Sequence, residues 1–500
     1  MMSDEHMCQC RAGNAPDVSE TRIQTDGRGS RGGGGGGGRV LLINLNRYEQ
    51  PYPVYPLGLS YVDGALRAAG FETRLWDSYA GRGTIEECLD AFQPDFVGLS
   101  LRNIDNAQSH NPLSFVRDLA DCCGRLRPRT RAPLIVGGSG FSVFPKELLE
   151  LTGADYGVQG EGETVLVELM AALRDGRGVE GLPGVAWRDA EGATHCNARL
   201  AVQAGFTAEP AHDPVVLKAY AAHGSLIGVQ TQRGCPLKCC YCAYPLIEGR
   251  RSRFRSGPEV AEEMSRLAAE GVRYTFVVDS VFNTRDDHVV EVCEALIKAG
   301  IDMEWECFLR PRGVSRELLA LMRRAGLRHV EFGSDSFCDP VLARYGKSFT
   351  YDDVRRISED AAALDIKYSH FLIFGGPGET PESVEETLRR AETLPGAFYF
   401  ATIGMRIYPG TALWEQAGPG ATGERPEDFL GVPRFYLEPP LTVESLYSRL
   451  WKVRENAHNW VVGDPPPAFV ATMEKLRKRG IRGPLWEYIE VLQRYAGAKG

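Results

Sequence analysis

The sequence predicts an α/β protein in which a doubly wound parallel-sheet domain precedes a partial (β/α)6 barrel and a small helical extension. Two observations predict this fold class. From residue 39 to about residue 415, short apolar runs alternate with runs of helical periodicity, which is typical of parallel sheets with right-handed crossovers. A hairpin-like stretch separates five such units from six later ones. We therefore expect two α/β domains.

The bulk composition is that of an ordinary globular protein, with 43% apolar and 25% charged residues. The net charge of −9 disfavours a nucleic-acid binder, and no apolar run reaches the roughly 18 residues that span a membrane. The 13 cysteines are odd in number and concentrate in one loop, so we expect free thiols in a reducing cytoplasm. Residues 1–38 are expected to be disordered, because the glycine run that ends them cannot form a core.

The first domain is expected to span residues 39–177. Its predicted strands are 40–46, 71–77, 95–101, 132–138 and 155–159, and its predicted helices are 57–69, 84–92, 113–125, 145–151 and 163–173. Five such units in succession indicate a flavodoxin-like, Rossmann-type domain. A sheet of this kind binds its ligand beyond the carboxyl ends of the strands.

Polar or glycine-rich turns follow three of these strands. The third strand ends at Arg102 and Asn103, the fourth at Gly137, Gly138 and Ser139, and the fifth at Gly160, Glu161 and Gly162. Glycine lets a backbone approach a flat or anionic ligand closely, so we expect a ligand site at these turns. A generic nucleotide fold is the alternative, although no Gly-x-Gly-x-x-Gly follows the first strand.

A hairpin at residues 178–224 is expected to link this domain to a second one at residues 225–415. The predicted strands of the second domain are 226–231, 274–279, 303–309, 329–333, 368–374 and 400–407. Six parallel strands fit a partial barrel better than a closed eight-stranded one, and functional groups should lie at their carboxyl ends. Residues 416–500 are predicted to form a helical extension, with helices at 442–459, 467–479 and 485–495.

The loop after the first barrel strand carries Cys235, Cys239 and Cys242 in the spacing Cys-x3-Cys-x2-Cys. Thiolates are the usual ligands of iron–sulfur clusters, which normally have four of them, so three would leave one iron open to a substrate or cofactor. A zinc knuckle is the alternative, with Cys240 as the fourth ligand. Four ligands within eight residues cannot easily surround a tetrahedral ion, so we favour the cluster.

This loop, including Tyr241 before its last cysteine, resembles the cluster loop of the radical SAM superfamily, in which S-adenosylmethionine chelates the open iron. With the sheet domain upstream, the chain resembles the cobalamin-dependent radical SAM enzymes of the methyltransferase type. The resemblance implies that the glycine turns of the first domain pack the nucleotide tail of cobalamin, and that Arg102 and Asn103 face the lower side of the corrin. Because no Asp-x-His-x-x-Gly motif follows the first strand, the resemblance implies that the cobalt of the bound cobalamin has no histidine as its lower ligand.

The resemblance also implies contacts to S-adenosylmethionine at successive barrel strand ends. The residues concerned are Tyr241, Asp279, Arg310, Glu331, Ser334, Asp335, Gly375 and Gly376. An arginine fork suits the methionyl carboxylate, and acidic or hydroxyl side chains suit the ribose. Each position taken alone could be a helix cap or a tight turn.

The family resemblance implies a [4Fe-4S] cluster, S-adenosylmethionine and cobalamin as cofactors. The expected function is C-methylation of a small molecule or natural product, with an electron donor such as flavodoxin or ferredoxin as partner. The resemblance does not identify a catalytic acid or base in this sequence. Two alternatives stay open: a cyclase or rearrangement enzyme of the same family, and a corrinoid-binding protein without catalysis.

Overall fold

The computed structural model describes residues 37–49, 52–81, 83–199, 205–222, 225–463 and 467–489. The predicted tail of residues 1–38 lies outside these ranges except for Gly37 and Gly38, which lead into the first strand. The last residues of the predicted helix at 485–495 also lie outside them. No helix within the described ranges is long and apolar enough to cross a membrane.

The strands are β1 Arg39–Asn44, β2 Glu72–Asp77, β3 Phe96–Ser100, β4 Leu134–Gly137, β5 Tyr156–Val158, β6 Val185–Arg188, β7 Thr194–Cys196, β8 Ile227–Val229, β9 Gln232–Arg233, β10 Arg253–Phe254, β11 Tyr274–Val277, β12 Glu304–Leu309, β13 Leu327–Asp335, β14 Lys367–Phe374, β15 Phe398–Ile403, β16 Met405–Arg406, β17 Phe435–Tyr436 and β18 Trp460–Val462. The α-helices are α1 Leu57–Ala68, α2 Ile85–Phe92, α3 Val116–Leu126, α4 Pro145–Thr152, α5 Gly162–Arg174, α6 Pro214–Ala222, α7 Tyr244–Ile247, α8 Gly257–Ala269, α9 Asp286–Ala299, α10 Arg316–Arg324, α11 Asp339–Arg344, α12 Tyr351–Ala363, α13 Pro381–Ala391, α14 Ala412–Ala417, α15 Pro419–Thr422, α16 Asp428–Gly431, α17 Val443–Ala457 and α18 Pro467–Lys478. Short 3-10 turns occupy Phe141–Val143, Phe282–Thr284 and Leu485–Tyr488.

The first sheet has the strand order β2-β1-β3-β4-β5-β6-β7. Strands β1 to β5 are parallel, and their order is that of a flavodoxin-like sheet with its switch point between β1 and β3. The predicted hairpin is present as β6 and β7, and it extends this sheet in antiparallel fashion. The hairpin is therefore part of the first domain's sheet as well as a connection.

The second sheet is parallel, with the order β18-β15-β14-β13-β12-β11-β8. It contains the six predicted strands and a seventh, β18, from the C-terminal extension, which was predicted to be helical only. This strand is too short to show alternation in the sequence. It is fixed by tertiary packing, because the Trp460 ring stacks on Tyr399 of β15 with centroids 4.5 Å apart. The predicted α/β fold class is confirmed.

Local sequence explains several helix starts. Thr84, Ser256 and Thr442 precede α2, α8 and α17, and each side chain accepts a hydrogen bond from the backbone N–H three residues later. This contact satisfies a donor that the helix itself leaves unpaired. These capping residues mark the boundary between the preceding loop and the helix, so the local sequence sets where each of the three helices begins.

The carboxyl ends of the two sheets face one another. Asp105, in the loop after β3, forms a buried ion pair with Arg406 after β15, at 2.8 Å. Ser109 in the same loop donates a hydrogen bond to the carbonyl of Ile403. At the start of α1, Leu57 packs toward Gly228 in the barrel wall. The ligand edge of the first domain therefore opens onto the interior of the barrel.

Candidate active site

The three predicted cluster cysteines line one small cavity of about 130 Å³ at the carboxyl end of the barrel. Cys235 is buried, whereas Cys239 and Cys242 are partly exposed. The remaining wall comes from the ends of β11, β12 and β13 and from residues 346–349. The loop thus lies where the barrel brings its strand ends together.

Two glycines allow the loop to pack tightly. Gly234 has a φ of +87°, and a Cβ there would collide with the carbonyl of Arg251. Gly346 has a φ of +75°, and its Cβ would collide with the carbonyl of Lys238. The backbone N–H of Cys240 donates to the carbonyl of Tyr345 at 3.0 Å. These contacts fix the loop from both sides.

The fourth cysteine of the loop, Cys240, has a different environment. Its sulfur lies 3.7 Å from the sulfur of Met405, and the side chain packs against a hydrophobic core cluster. Within the described residues, no three His, Cys, Asp or Glu side chains converge on a single metal ion. A four-iron cluster takes thiolates on separate irons and needs no such convergence. The three cavity thiols therefore fit a cluster.

Tyr241 and Asp335 lie next to the cysteines in one polar network. The Tyr241 hydroxyl donates to the Asp335 carboxylate at 2.7 Å, and Lys347 forms an ion pair with the same carboxylate at 2.6 Å. Burial alone would lower the pKa of Lys347, but the negative charges of Asp335 and of ionised Cys239 raise that pKa above its ordinary value. Lys347 also donates to the carbonyl of Gly333. Sequence reasoning missed Lys347 because it belongs to no motif.

The Asp279 side chain does not line the cavity and instead makes hydrogen bonds within the protein. Its carboxylate accepts the backbone N–H groups of Thr231 at 2.8 Å and Gln232 at 3.0 Å, and it also accepts the Thr231 hydroxyl. Burial raises the pKa of Asp279 to about 7, although these hydrogen bonds oppose the shift. The side chain thus holds the segment that leads into the cluster loop. The next residue, Ser280, lines the cavity in its place.

Arg310 lies at the cavity, as the sequence predicted. Its backbone is held by Asn283, whose side chain accepts from the Arg310 N–H at 3.0 Å and donates to the Arg310 carbonyl at 3.1 Å. Arg310 Nε and Ser280 Oγ are buried without a hydrogen-bond partner among the described residues. Because buried polar atoms are normally paired, these two fit a polar ligand such as the methionyl end of S-adenosylmethionine.

Two other predicted contacts, Ser334 and Glu331, do not line the cavity. Ser334 is fully buried and hydrogen-bonds His370 at 2.7 Å, and His370 in turn reaches Ser358 of α12. The Ser334 side chain thus faces the helices that pack outside the sheet, whereas residues one position away along the strand face the opposite side. Glu331 lies inside the barrel, where the Trp486 indole N–H donates to it at 3.3 Å.

The glycine turn after β14 is shaped by internal packing. Gly375 donates its N–H to the Glu379 carboxylate, and Gly376 donates to the Tyr345 hydroxyl at 3.0 Å. A Cβ at Gly375 would collide with Leu437, and one at Gly376 would collide with Tyr345. Local packing therefore explains both glycines.

The turns predicted to hold cobalamin form one surface at the ends of β3 and β4. Arg102 and Asn103 are exposed, and Ser139 Oγ donates to the Arg102 carbonyl at 2.7 Å. Gly138 has a φ of +99°, and a Cβ there would press on the carbonyl of Leu101. At Gly137 a Cβ would meet its nearest atom only at 3.5 Å, so the protein's own packing does not require that glycine. This open, polar edge fits a large ligand.

The turn after β5 makes contacts within the protein. Gly160 donates its N–H to Ser142 at 2.8 Å, and Gly162 begins α5. The Glu161 carboxylate pairs with Arg233 at 3.1 Å and with Arg253. Burial would raise the pKa of Glu161, but the two guanidinium groups lower it below its ordinary value. Glu161 therefore joins the first domain to the strand before the cluster loop.

Comparison with known proteins agrees with both halves of the structure. Residues 46–170 match the family model described as B12 binding domain, and residues 229–391 match that of the Radical SAM superfamily. The glycine turns fall in the first range and the cluster cysteines in the second. Together the two domains confirm the predicted family resemblance and the predicted cofactors, namely a [4Fe-4S] cluster, S-adenosylmethionine and cobalamin.

Two named relatives match most of the chain. It is 27% identical to an uncharacterised methyltransferase of Pyrococcus horikoshii, over 72% of this chain and 78% of that protein. It is 25% identical to tryptophan 2-C-methyltransferase of Streptomyces laurentii, over 77% of this chain and 75% of that protein. The structure of the radical S-adenosylmethionine methyltransferase TsrM from Kitasatospora setae, with cobalamin and a [4Fe-4S] cluster bound, has a TM-score of 0.80 at 24% identity, and the match covers 92% of this chain and 99% of that chain.

Proposed function

We propose that this chain, a radical SAM enzyme with an N-terminal B12-binding domain, is a methyltransferase that methylates carbon in a small-molecule substrate. One observation carries the proposal: the cysteine-lined cavity of the barrel and the open glycine edge of the first domain face the same interior. The buried Asp105–Arg406 ion pair and the Leu57–Gly228 contact fix this arrangement. A methyl carrier and a radical source held this way can reach one substrate.

The cofactors supply the difficult chemistry: the cluster and S-adenosylmethionine supply reductive radical generation, and cobalamin supplies a methyl carrier. In our proposal, Cys235, Cys239 and Cys242 hold the cluster. Arg310 and Ser280 orient the carboxylate and amino group of S-adenosylmethionine. Asp335 keeps Tyr241 and Lys347 in place beside them.

On the side of the first domain, we assign cobalamin to the exposed edge formed by Arg102, Asn103, Gly137, Gly138 and Ser139. Glu161 is left out of this set because its carboxylate is already paired with two buried arginines. We also leave Asp279 and Ser334 out of the S-adenosylmethionine site, since their side chains are engaged within the protein.

Two further features belong to the proposal. Radical generation consumes an electron, so we assign the chain a one-electron donor such as flavodoxin or ferredoxin. We also place the enzyme in the cytoplasm, where a reducing environment suits the cluster cysteines Cys235, Cys239 and Cys242. The substrate is assigned to the small-molecule class because the characterised relative in S. laurentii is named for tryptophan.

The experiment that tests the enzyme assignment compares two neighbouring cysteines. Wild type, Cys239→Ala and Cys240→Ala are purified and reconstituted without oxygen, and iron content and reductive cleavage of S-adenosylmethionine are measured. Wild type and Cys240→Ala should hold a cluster and cleave the cofactor, whereas Cys239→Ala should do neither. An iron-free, inactive wild type, or equal behaviour of the two variants, would contradict the proposal.

A further inference from the structure

The interior of the barrel beneath the cysteine cavity holds two carboxylates on neighbouring strands. Phe308 of β12 lies in register with Glu331 of β13, and Glu331 lies in register with Ser369 of β14. In a parallel sheet, residues in register point to the same face, and side chains alternate along each strand. Glu306, two residues before Phe308, therefore shares the inner face with Glu331.

This carboxylate pair is buried and only partly satisfied. Glu306 is 0% exposed and Glu331 is 6% exposed. Their hydrogen-bond donors are neutral: the Tyr274 hydroxyl reaches Glu306 at 3.3 Å, and the Trp486 indole reaches Glu331 at 3.3 Å. Within the described residues, neither carboxylate has a Lys or Arg within ion-pair distance.

Two polar atoms in this cluster remain without partners. Glu306 Oε1 and Ser369 Oγ are both buried and lack a hydrogen bond to any described residue. A pair with a purely structural function would have its acceptors satisfied, because an unpaired buried acceptor destabilises the fold. Burial, together with the charge of Glu331, raises the pKa of Glu306, and burial raises that of Glu331 to about 7. Both groups thus lack compensating positive charge.

Aromatic rings form the wall beside the pair. The rings of Phe276 and Phe308 lie 4.9 Å apart, those of Phe308 and Phe371 lie 6.2 Å apart, and those of Phe371 and Phe400 lie 4.7 Å apart. All four are partly exposed although they point into the barrel, so open space adjoins them. Trp486 of the C-terminal extension packs on Phe398 and also contacts Glu331.

We propose that the barrel interior binds the methyl acceptor through a protonated amine held by Glu306 and Glu331, with an aromatic or other apolar body lying against the phenylalanine rings. A cationic donor supplies the missing positive charge and satisfies Glu306 Oε1, while ring faces favour both a planar body and a nearby cation. The inference rests on the proposed function only in naming the ligand as the methyl acceptor. The chemistry of the pocket is independent of turnover.

The test uses three probes of similar shape: phenethylamine, 2-phenylethanol and phenylacetate. Their binding to the anaerobically reconstituted protein is measured by calorimetry. The amine should bind at least about tenfold more tightly than the alcohol, since hydrogen bonds to charged groups are the stronger ones. Phenylacetate should bind most weakly. Equal binding of the amine and the alcohol, or preference for phenylacetate, would overturn the inference.

Substitutions of Glu306 and Glu331 test whether these two carboxylates cause the preference for the amine probe. Glu306→Gln and the double change Glu306→Gln with Glu331→Gln should weaken phenethylamine binding about tenfold or more and leave 2-phenylethanol unchanged. Glu304→Gln is the matched control, because Glu304 is exposed on the same strand. An unchanged ranking of probes in the double variant would sink the inference. Iron content and cleavage of S-adenosylmethionine, measured on the same samples, verify folding and report separately on the proposed function.

Discussion

The Tyr241 hydroxyl donates a 2.7 Å hydrogen bond to the Asp335 carboxylate, joining the cluster loop to the end of β13. Asp335 has a φ of +63°, in the left-handed region that few residues other than glycine adopt. The carboxylate of Asp335 also forms an ion pair with the buried ammonium of Lys347. The position of the cluster loop therefore depends on the Asp335–Lys347 ion pair, which is distant from the loop in sequence.

Asp335→Asn should destabilise the protein strongly. The change leaves the Lys347 ammonium buried without its partner, which typically costs about 3–5 kcal/mol. Tyr241→Phe removes only one hydrogen bond to the same carboxylate and should cost about 2 kcal/mol. Thermal unfolding and iron content after reconstitution measure both. Equal effects of the two changes would show that the ion pair does not hold the loop.

Arg310→Gln should weaken binding of S-adenosylmethionine by about tenfold to a hundredfold while the cluster stays at full occupancy, because a charge-assisted bond to the cofactor carboxylate is lost. Equilibrium dialysis with the labelled cofactor provides the measurement. Arg312→Gln is the control, since Arg312 is exposed and donates to the Ser348 carbonyl. If Arg312→Gln weakens binding as much, the assignment of Arg310 is wrong.

The neighbouring glycines of the first domain should respond differently to alanine. Gly137→Ala should fold normally, because its Cβ would meet only ordinary contacts, yet it should lower corrinoid affinity by filling the ligand edge. Gly138→Ala should lose about 1–3 kcal/mol of stability through its positive φ and the clash with Leu101. Corrinoid absorbance per chain and thermal unfolding separate the two effects. Full corrinoid binding by Gly137→Ala would remove that residue from the site.

Burial raises the pKa of Glu379 to about 7, above an ordinary value of about 4.3. Between those two pH values the folded chain keeps a proton that the unfolded chain has lost, so this group's stabilisation falls as the pH rises through 7. The unfolding temperature of wild type relative to Glu379→Gln should therefore decrease from pH 5 to pH 8. A difference that is constant across this range would show that Glu379 does not titrate in this way.

The sequence predicted the order of strands and helices well, because apolar periodicity is a local property. It also found Cys235, Cys239, Cys242 and Arg310 at the cavity. Asp279 and Ser334 were assigned to the cofactor from the sequence, whereas the structure places both side chains in hydrogen bonds within the protein, with Ser280 lining the cavity and Ser334 facing α12. A shift of one residue along a strand reverses the face, and sequence patterns do not fix that shift.

Other features depend on partners distant in sequence. Glu161 resembled a ligand residue, yet its partners Arg233 and Arg253 lie in the other domain. Lys347 is recognisable only once β13 places Asp335 beside it. The strand β18 exists because the Trp460 ring stacks on Tyr399. Each is a product of tertiary packing.

The most direct test of the central claim follows a labelled methyl group. Reconstituted protein carrying cluster and cobalamin is incubated with deuteromethyl S-adenosylmethionine, a reductant and a small-molecule extract of the source organism lacking this gene. The proposal predicts deuteromethyl label on the corrinoid and a new compound in which a deuteromethyl group has replaced one hydrogen, both absent with Cys239→Ala and present with Cys240→Ala. An active wild type that cleaves the cofactor while the label reaches neither the corrinoid nor any compound would contradict methyl transfer.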